Sequence, residues 1–372
     1  MNMRLSSAIK NIMEGEEGHP VLSIILLILS WFYWLGHWLR LMLYKTGILK
    51  TKTLPVPVIS VGNITVGGTG KTPAVIMIAN LMTEIGVKVA VLSRGYKGMA
   101  GENINLVSDG DKILMKPLQS GDEPYMIASR LKGIPVITGA DRYMTGMYAL
   151  EMFGIDAILM DDGYQHVRLN RKLNILLIDY NSPFGNGYLL PRGRLRESPS
   201  NINRSDVIIL TKVNHESEIS DIRLKSGRDI PICRSRYVSE GFFDVNSGRI
   251  ITPSEAIGKK GFAFCGIASP ESFRNSLKEA GIEIMGFSAF DDHYQFRSED
   301  MDNLIASARE TGSEILITTE KDSVRLLELG DISFPVWFLK IGMDVFEGRE
   351  ILMAKIYETC IVKIRDAIKL YI

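Results

Sequence analysis

Cysteine is scarce in this chain. Cys233, Cys265 and Cys360 are spread through 372 residues with no Cys-x-x-Cys spacing, which excludes a disulfide framework and a cysteine zinc site and suits reduced thiols in a cytoplasmic compartment. Neither sign of charge is in excess. The 43 lysines and arginines balance 43 aspartates and glutamates, so there is no overall pull on nucleic acid, and an anionic ligand must meet a local basic patch. There is no internal repeat and no low-complexity tract. With 46% apolar and 23% charged residues, the composition is that of a folded protein long enough for two domains.

One uncharged apolar run is present, from Val21 to Gly36. As a helix its sixteen residues would extend about 24 Å, short of a ~30 Å hydrocarbon core unless Trp38 and Leu39 join it. A membrane span and a deeply inserted monotopic helix both fit, and a buried core helix is the alternative. Trp31, Phe32, Tyr33, Trp34 and Trp38 gather at one end, where amphipathic rings sit at headgroup level. They also stand where a secretory signal would carry a small-residue cleavage site. Arg40, Lys45, Lys50 and Lys52 follow with no intervening acid, whereas Arg4 and Lys10 precede the run together with Glu14, Glu16 and Glu17. This asymmetry puts the C-terminal side in the cytoplasm.

A β-branched strand then runs into Gly62-Asn63-Ile64-Thr65-Val66-Gly67-Gly68-Thr69-Gly70-Lys71-Thr72-Pro73. Glycines let backbone N–H groups face phosphate oxygens, a lysine reaches the outer phosphates, and the threonine hydroxyl can hold Mg²⁺. Pro73 falls where the next helix, Ala74–Ile85, should begin, so that its N-terminus faces the same anion. The cradle is expected over Thr65, Val66, Gly67, Gly68, Thr69, Gly70, Lys71 and Thr72. It departs from Gly-x4-Gly-Lys-Thr at its first position, where Thr65 replaces glycine.

Short β-branched runs alternate with helical stretches through Val207–Leu210, the pattern of a parallel sheet covered on both faces. From Ile232 the pattern changes to antiparallel strands, Ile232–Tyr237, Gly241–Val245 and Arg249–Ile251, around Asn246-Ser247-Gly248. Strands at Phe262–Cys265, Ile282–Phe287, Ile315–Thr318 and Val336–Leu339 begin a second α/β unit, and a helix from Val345 to about Tyr371 closes the chain. The expected class is α/β: a phosphate-loop three-layer α/β/α domain (51–231), a β-ribbon linker (232–252), a smaller α/β lobe (253–340) and a C-terminal helix (341–372), preceded by a membrane-associated helix (1–50).

Several polar clusters bear on chemistry. Asp161-Asp162 ends an apolar strand, where a phosphate-loop fold needs an acid for Mg²⁺, though paired aspartates also start turns. Asp122-Glu123 opens an apolar helical run. Asp122 reads equally as an N-cap and as a base accepting a hydroxyl proton, with Glu123 near the metal. His293 follows Asp291-Asp292 in an acidic, aromatic loop suited to orienting a proton, and lone histidines are also commonly structural. Arg142, and Arg192, Arg194 and Arg196 in Pro191-Arg192-Gly193-Arg194-Leu195-Arg196-Glu197, form a basic patch that fits a substrate phosphate or a solvated face. Thr211-Lys212-Val213-Asn214 resembles a guanine reader with Asn214 in place of its carboxylate. It keeps a phosphate-loop GTPase of the metal-chaperone or transport class as an alternative.

Together with Ser93-Arg94-Gly95-Tyr96, Gly121-Asp122-Glu123-Pro124, Asp161-Asp162-Gly163-Tyr164-Gln165-His166, Pro191-Arg192-Gly193-Arg194-Leu195-Arg196-Glu197 and Thr319-Glu320-Lys321-Asp322, the loop resembles the tetraacyldisaccharide 4′-kinase family of lipid A biosynthesis. That resemblance includes the variant Thr65. It implies transfer of the ATP γ-phosphoryl group, with Mg²⁺, to the 4′-hydroxyl of a tetraacylated glucosamine disaccharide 1-phosphate at the cytoplasmic face of a Gram-negative inner membrane. It further implies Asp122 and His293 as the catalytic pair, Lys71 on the β/γ-phosphates, and Thr72, Glu123, Asp161 and Asp162 around Mg²⁺. Arg142, Arg192 and Arg194 are the expected grip on the lipid substrate. The expected partners are this lipid and the bilayer, with no nucleic acid and no obligate protein partner.

Overall fold

The computed structural model describes residues 2–16, 18–95, 98–213 and 227–370. Tyr96, Asn214 and Tyr371 lie outside them. Thirteen strands form one mixed sheet: β1 (Val58–Asn63), β2 (Val89–Ser93), β3 (Asn105–Ser108), β4 (Val136–Thr138), β5 (Ala157–Met160), β6 (Leu173–Asp179), β7 (Val207–Thr211), β8 (Ile232–Asp244), β9 (Ile250–Ile251), β10 (Lys260–Cys265), β11 (Glu283–Ala289), β12 (Ile315–Thr319) and β13 (Val336–Glu347). The spatial order is β11-β10-β12-β13-β8-β7-β6-β1-β5-β2-β4-β3, with β9 beside β8. The helices described are α1 (Asn2–Glu14), α2 (Pro20–Lys45), α3 (Lys71–Glu84), α4 (Pro117–Ser120), α5 (Asp122–Arg130), α6 (Arg142–Phe153), α7 (Pro253–Ala256), α8 (Pro270–Glu279), α9 (Ser298–Glu310), α10 (Glu320–Leu326) and α11 (Arg349–Leu370).

β1 lies mid-sheet between β5 and β6, parallel to both. β2, β4 and β7 run the same way, so the loops after all these strands open along one edge, the usual place for a ligand. Side chains alternate between two dry faces. Ile59, Val61, Leu159 and Ile175 meet Ile78 and Met82 of α3 and Ile127 of α5, whereas Val58, Ile158 and Met160 meet Ala149 of α6. Burial on both faces explains the unbroken apolar runs of these strands. Each fully buried aliphatic side chain contributes roughly 1.5–3 kcal/mol.

The region around Ile232 departs from the sequence expectation. One long strand replaces two, because a bulge at Glu240 and Gly241 absorbs the irregularity: Gly241 pairs with Lys340, the next pair is Ser239 with Ile341, and Gly241 has φ 105°. Its antiparallel partner is β13, while Arg249–Ile251 supplies only the two residues of β9. Val345 does not start a helix. It pairs with Ser235 and is buried among Cys233, Met343 and Leu352, and α11 begins after Gly348. The far halves of β8 and β13 carry Phe242, Trp337 and Leu339 into a second core with Phe273 and Leu277 of α8. These two strands therefore run continuously from one core into the other.

Candidate active site

The phosphate loop leaves β1 and ends at Gly70, the N-cap of α3, in a left-handed conformation with φ 79°. Asn63 Nδ2 donates to Thr69 Oγ1 at 2.7 Å and closes the loop from inside. Gly67 has φ 112°, and a side chain there would strike the Arg194 guanidinium, whereas Gly68 has nothing within 4 Å of a built Cβ. Thr65 and Val66 are engaged behind the loop. Thr65 pairs with Leu195 in an antiparallel bridge. The Val66 N–H donates to the Arg194 carbonyl at 2.7 Å, and its own carbonyl accepts from Arg194 Nε and Nη2 at 3.2 and 3.1 Å. A residue whose backbone is tied into such a bridge has no need of glycine's freedom.

Gly67 to Thr72 line a cavity of about 970 Å³ that also takes in Ser93, Arg94, Glu123, Arg142, Asp161, Asp162, Gln165 and His166. Asp161 is 2% exposed. Ser93 Oγ donates to its Oδ2 at 2.8 Å, while its Oδ1 is buried without a partner. Burial, and after it the charges of Glu123 and Asp162, push its carboxyl up to about 7. Asp162 differs although it is adjacent. Burial would raise it, but Lys71, at 3.8 Å, and Arg196, at 3.0 and 2.9 Å from its two oxygens, hold it below the ordinary carboxylate value. Among the described residues no three His, Cys, Asp or Glu side chains converge as a metal cage. Mg²⁺ does not require one, since it commonly takes one or two carboxylates together with phosphates and waters. The unpartnered Asp161 Oδ1 and the Thr72 hydroxyl have the hard oxygen character it prefers.

Asp122 and Glu123 form the first turn of α5, where the helix dipole favours negative charge. Asp122 meets residues that follow it by more than 170 positions: Arg325 Nε donates to its Oδ2 at 2.8 Å, and His293 Nδ1 stands 3.5 Å from the same oxygen. Burial would raise its carboxyl, and His293 and Arg325 bring it below the ordinary value. Lys321 lies between the two clusters, 3.0 Å from His293 Nε2 and 3.7 Å from Glu123. His293 itself has a left-handed φ of 66°.

The apolar run forms α2, 26 residues long and about 39 Å by the helical rise. Leu26, Ser30, Tyr33, His37 and Arg40 recur at helical spacing on its inner face. Ser30 Oγ donates to the Leu189 carbonyl at 2.8 Å and accepts from the Arg192 N–H at 3.1 Å. Tyr33 donates to the Arg196 carbonyl at 2.9 Å. Tyr33, His37 and Arg40 also line the cavity. The outer face leaves Ile24, Ile28, Trp31, Phe32, Leu35 and Leu39 exposed, an unusually long apolar surface.

The expected lipid-grip arginines therefore separate. Arg142 is at the cavity, 3% exposed, and donates to the Gly139 carbonyl; burial and Arg94 lower its guanidinium to about 10. Arg194 is occupied with the phosphate loop, and Arg192 stacks on Tyr188 at 3.7 Å beside α2. Sequence reasoning missed Glu197, which is wholly buried and accepts from Gln165 and Asn201 at 2.8 Å each, and from Arg204. It also missed the Arg325 contact.

A profile of the family described as tetraacyldisaccharide-1-P 4′-kinase matches residues 22–360. The chain belongs to the tetraacyldisaccharide-1-P 4′-kinase family. It is similar to the tetraacyldisaccharide 4′-kinases of Syntrophus aciditrophicus (42% identical over 334 residues, 87% of this chain and 89% of that one) and Desulfotalea psychrophila (42% over 293 residues, 77% and 83%). In fold it is similar to the crystal structure of LpxK from Aquifex aeolicus in complex with ATP, with 32% identity, a TM-score of 0.73, and coverage of 91% of this chain and 99% of that one. The chain is thus a kinase, which disfavours the GTPase alternative. Lys212 of the guanine-reader look-alike pairs with Asp179 at 2.6 Å and has φ 62°.

Proposed function

We propose that this kinase carries the γ-phosphoryl group of ATP to the 4′-hydroxyl of a tetraacylated glucosamine disaccharide 1-phosphate at the cytoplasmic face of the inner membrane. The observation that supports this most is a single cavity bordered by Gly67–Thr72, by His293, and by Tyr33, His37 and Arg40 of a helix whose opposite face is bare hydrocarbon. A phosphate donor and an acceptor still rooted in a bilayer would meet there. Removing the lipid from the membrane would cost about 0.8 kcal/mol per methylene, so the apolar face of α2 brings the site to the substrate.

Within the cavity, the backbone of Gly67 to Gly70 and the Lys71 ammonium bind the β/γ-phosphates, as in other phosphate loops. Thr72 and Asp161 would hold Mg²⁺, with Glu123 and Asp162 beside it, and the ion would supply neutralisation of the charge that develops on the transferred group. Asp122 accepts the 4′-hydroxyl proton through Oδ1, the oxygen that Arg325 and His293 leave free, and His293 orients it. Positively charged Arg142 and Arg40 face the acceptor's phosphate. The chain acts as two units, 51–231 with the nucleotide and 253–340 with His293, joined through β8 and β13.

The test is Asp122→Ala in full-length protein in detergent. Phosphoryl transfer should fall by at least ~10²-fold, the typical size of a general-base contribution, while ATP binding stays near wild type. An active variant would refute the choice of base.

A further inference from the structure

We propose that Arg325 is the positioning residue of the base, fixing the rotation of the Asp122 carboxylate so that Oδ1 faces the acceptor hydroxyl. The inference rests on the base role of Asp122. It gives a use to Thr319-Glu320-Lys321-Asp322, a sequence motif that the reaction itself does not absorb.

That motif builds a bracket. Thr319 caps α10, its Oγ1 accepting from the Asp322 N–H at 3.1 Å and donating to Asp322 Oδ2 at 2.7 Å. The Gly266 N–H donates to the same oxygen at 3.0 Å. Asp322, thus immobilised and fully buried, accepts from Arg325 Nη1 at 2.6 Å through its other oxygen. Nη1 also reaches the carbonyls of Gly266 and Tyr294, at 3.3 and 3.4 Å. The charge of Arg325 is already compensated by these contacts, so its link to Asp122 is more than the completion of a buried pair.

The geometry of that link carries the proposal. Arg325 is 1% exposed at its side chain, and its planar fork offers Nε to Asp122 Oδ2 at 2.8 Å while Nη2 stands 3.3 Å from His293 Nδ1. One rigid group, held by the Asp322 bracket, therefore fixes the Asp122 carboxylate, and its Nη2 borders the His293 ring, whose Nδ1 accepts from it only in the tautomer with the proton on Nε2. A carboxylate held by one oxygen keeps the other in a defined direction. An ammonium, compact and without a fork, can reach Asp122 or Asp322 but cannot bracket the two in one plane. Glu320 adds a parallel tie from the same helix to Arg130 of α5 at 2.9 Å.

The experiment is steady-state kinetics of full-length enzyme with ATP, Mg²⁺ and tetraacyldisaccharide 1-phosphate in detergent micelles. Arg325→Gln should lower kcat by roughly 10²-fold, the cost of a misplaced reacting group, with KM for ATP unchanged within about threefold. Arg325→Lys should recover part of the loss. If Arg325→Gln does not fold, Asp322→Asn loosens the same bracket with Arg325 in place, and its kcat should fall about tenfold at constant KM for ATP. A folded Arg325→Gln, or failing that Asp322→Asn, with wild-type kcat overturns the proposal, as does a loss shared equally by kcat and ATP affinity. Asp122→Asn separates the two claims: if it turns over normally the base assignment fails, and if it is inactive while Arg325→Gln is active only the positioning role fails.

Discussion

His37 Nε2 stands 3.4 Å from Glu197 Oε2, an electrostatic contact between the inner face of the apolar helix and a fully buried carboxylate. Glu197 also accepts from Gln165, whose amide donates to the Asn63 carbonyl at 2.8 Å at the root of the phosphate loop. The apolar helix and the phosphate loop are thus linked through two residues, Glu197 and Gln165.

This carboxylate makes stability depend on acid. Burial would raise its pKa, but His37 and Arg204 outweigh burial and hold it at about 2, below the ordinary 4.5. A depressed folded pKa contributes stability above the unfolded value that is lost as pH falls through the folded one. The contribution should therefore be complete above pH ~4.5 and gone below pH ~2, amounting to about 3 kcal/mol at neutral pH. Glu197→Gln should lower the thermal midpoint at pH 7, with the gap from wild type closing as the pH falls through that window. A gap independent of pH would contradict the assignment.

Neighbouring glycines of the phosphate loop should behave differently. Gly68→Ala meets empty space and should leave the thermal midpoint unchanged while raising KM for ATP. Gly67→Ala needs a left-handed alanine costing about 1–2 kcal/mol and displaces Arg194. It should lose stability as well as ATP affinity, and calorimetry beside kinetics distinguishes the two.

The two aspartates should separate in a Mg²⁺ titration. Asp161→Asn removes an oxygen that has no protein partner and should raise the Mg²⁺ needed for half-maximal rate about tenfold or more, consistent with the loss of one ligand. Asp162→Asn breaks the ties to Lys71 and Arg196 and should chiefly weaken ATP binding. Equal Mg²⁺ requirements would contradict this division.

Much of the fold could be read from local pattern. β1, β4, β5 and β7 follow from β-branched runs, because burial on both faces leaves an apolar signature, whereas α3 starts at Lys71, ahead of the Pro73 where the sequence placed its beginning. Asp161-Asp162 could be read for the same reason, as polar residues closing an apolar strand. Arg325 could not, since its partner Asp122 is 203 positions away and no periodicity connects them. Nor could the pairing of β8 with β13, which depends on which distant strand fills an edge. Thr65 looked like a defect because its bridge to Leu195 is also non-local. Of the arginines in Pro191–Glu197, spacing could not tell that Arg194 braces the loop, Arg196 holds Asp162 and Arg192 stacks beside α2.

The outer face of α2 should act through the membrane alone. Replacing Ile28, Trp31 and Phe32 with serine removes side chains worth about 1.5–3 kcal/mol each on burial. Vesicle co-sedimentation and turnover of lipid presented in vesicles should both drop, while ATP affinity stays constant. Wild-type vesicle binding would show that another surface holds the bilayer.

Phosphate is expected to pass from ATP to the 4′-hydroxyl of a membrane-held disaccharide by way of Asp122. The direct measurement is incubation of purified protein with γ-labelled ATP, Mg²⁺ and tetraacyldisaccharide 1-phosphate in detergent, followed by location of the label in the lipid. Wild-type protein should place it at the 4′ position, and Asp122→Asn should bind ATP yet leave the lipid unlabelled. Label at another position, or 4′ label at the wild-type rate without the Asp122 carboxylate, would contradict the account.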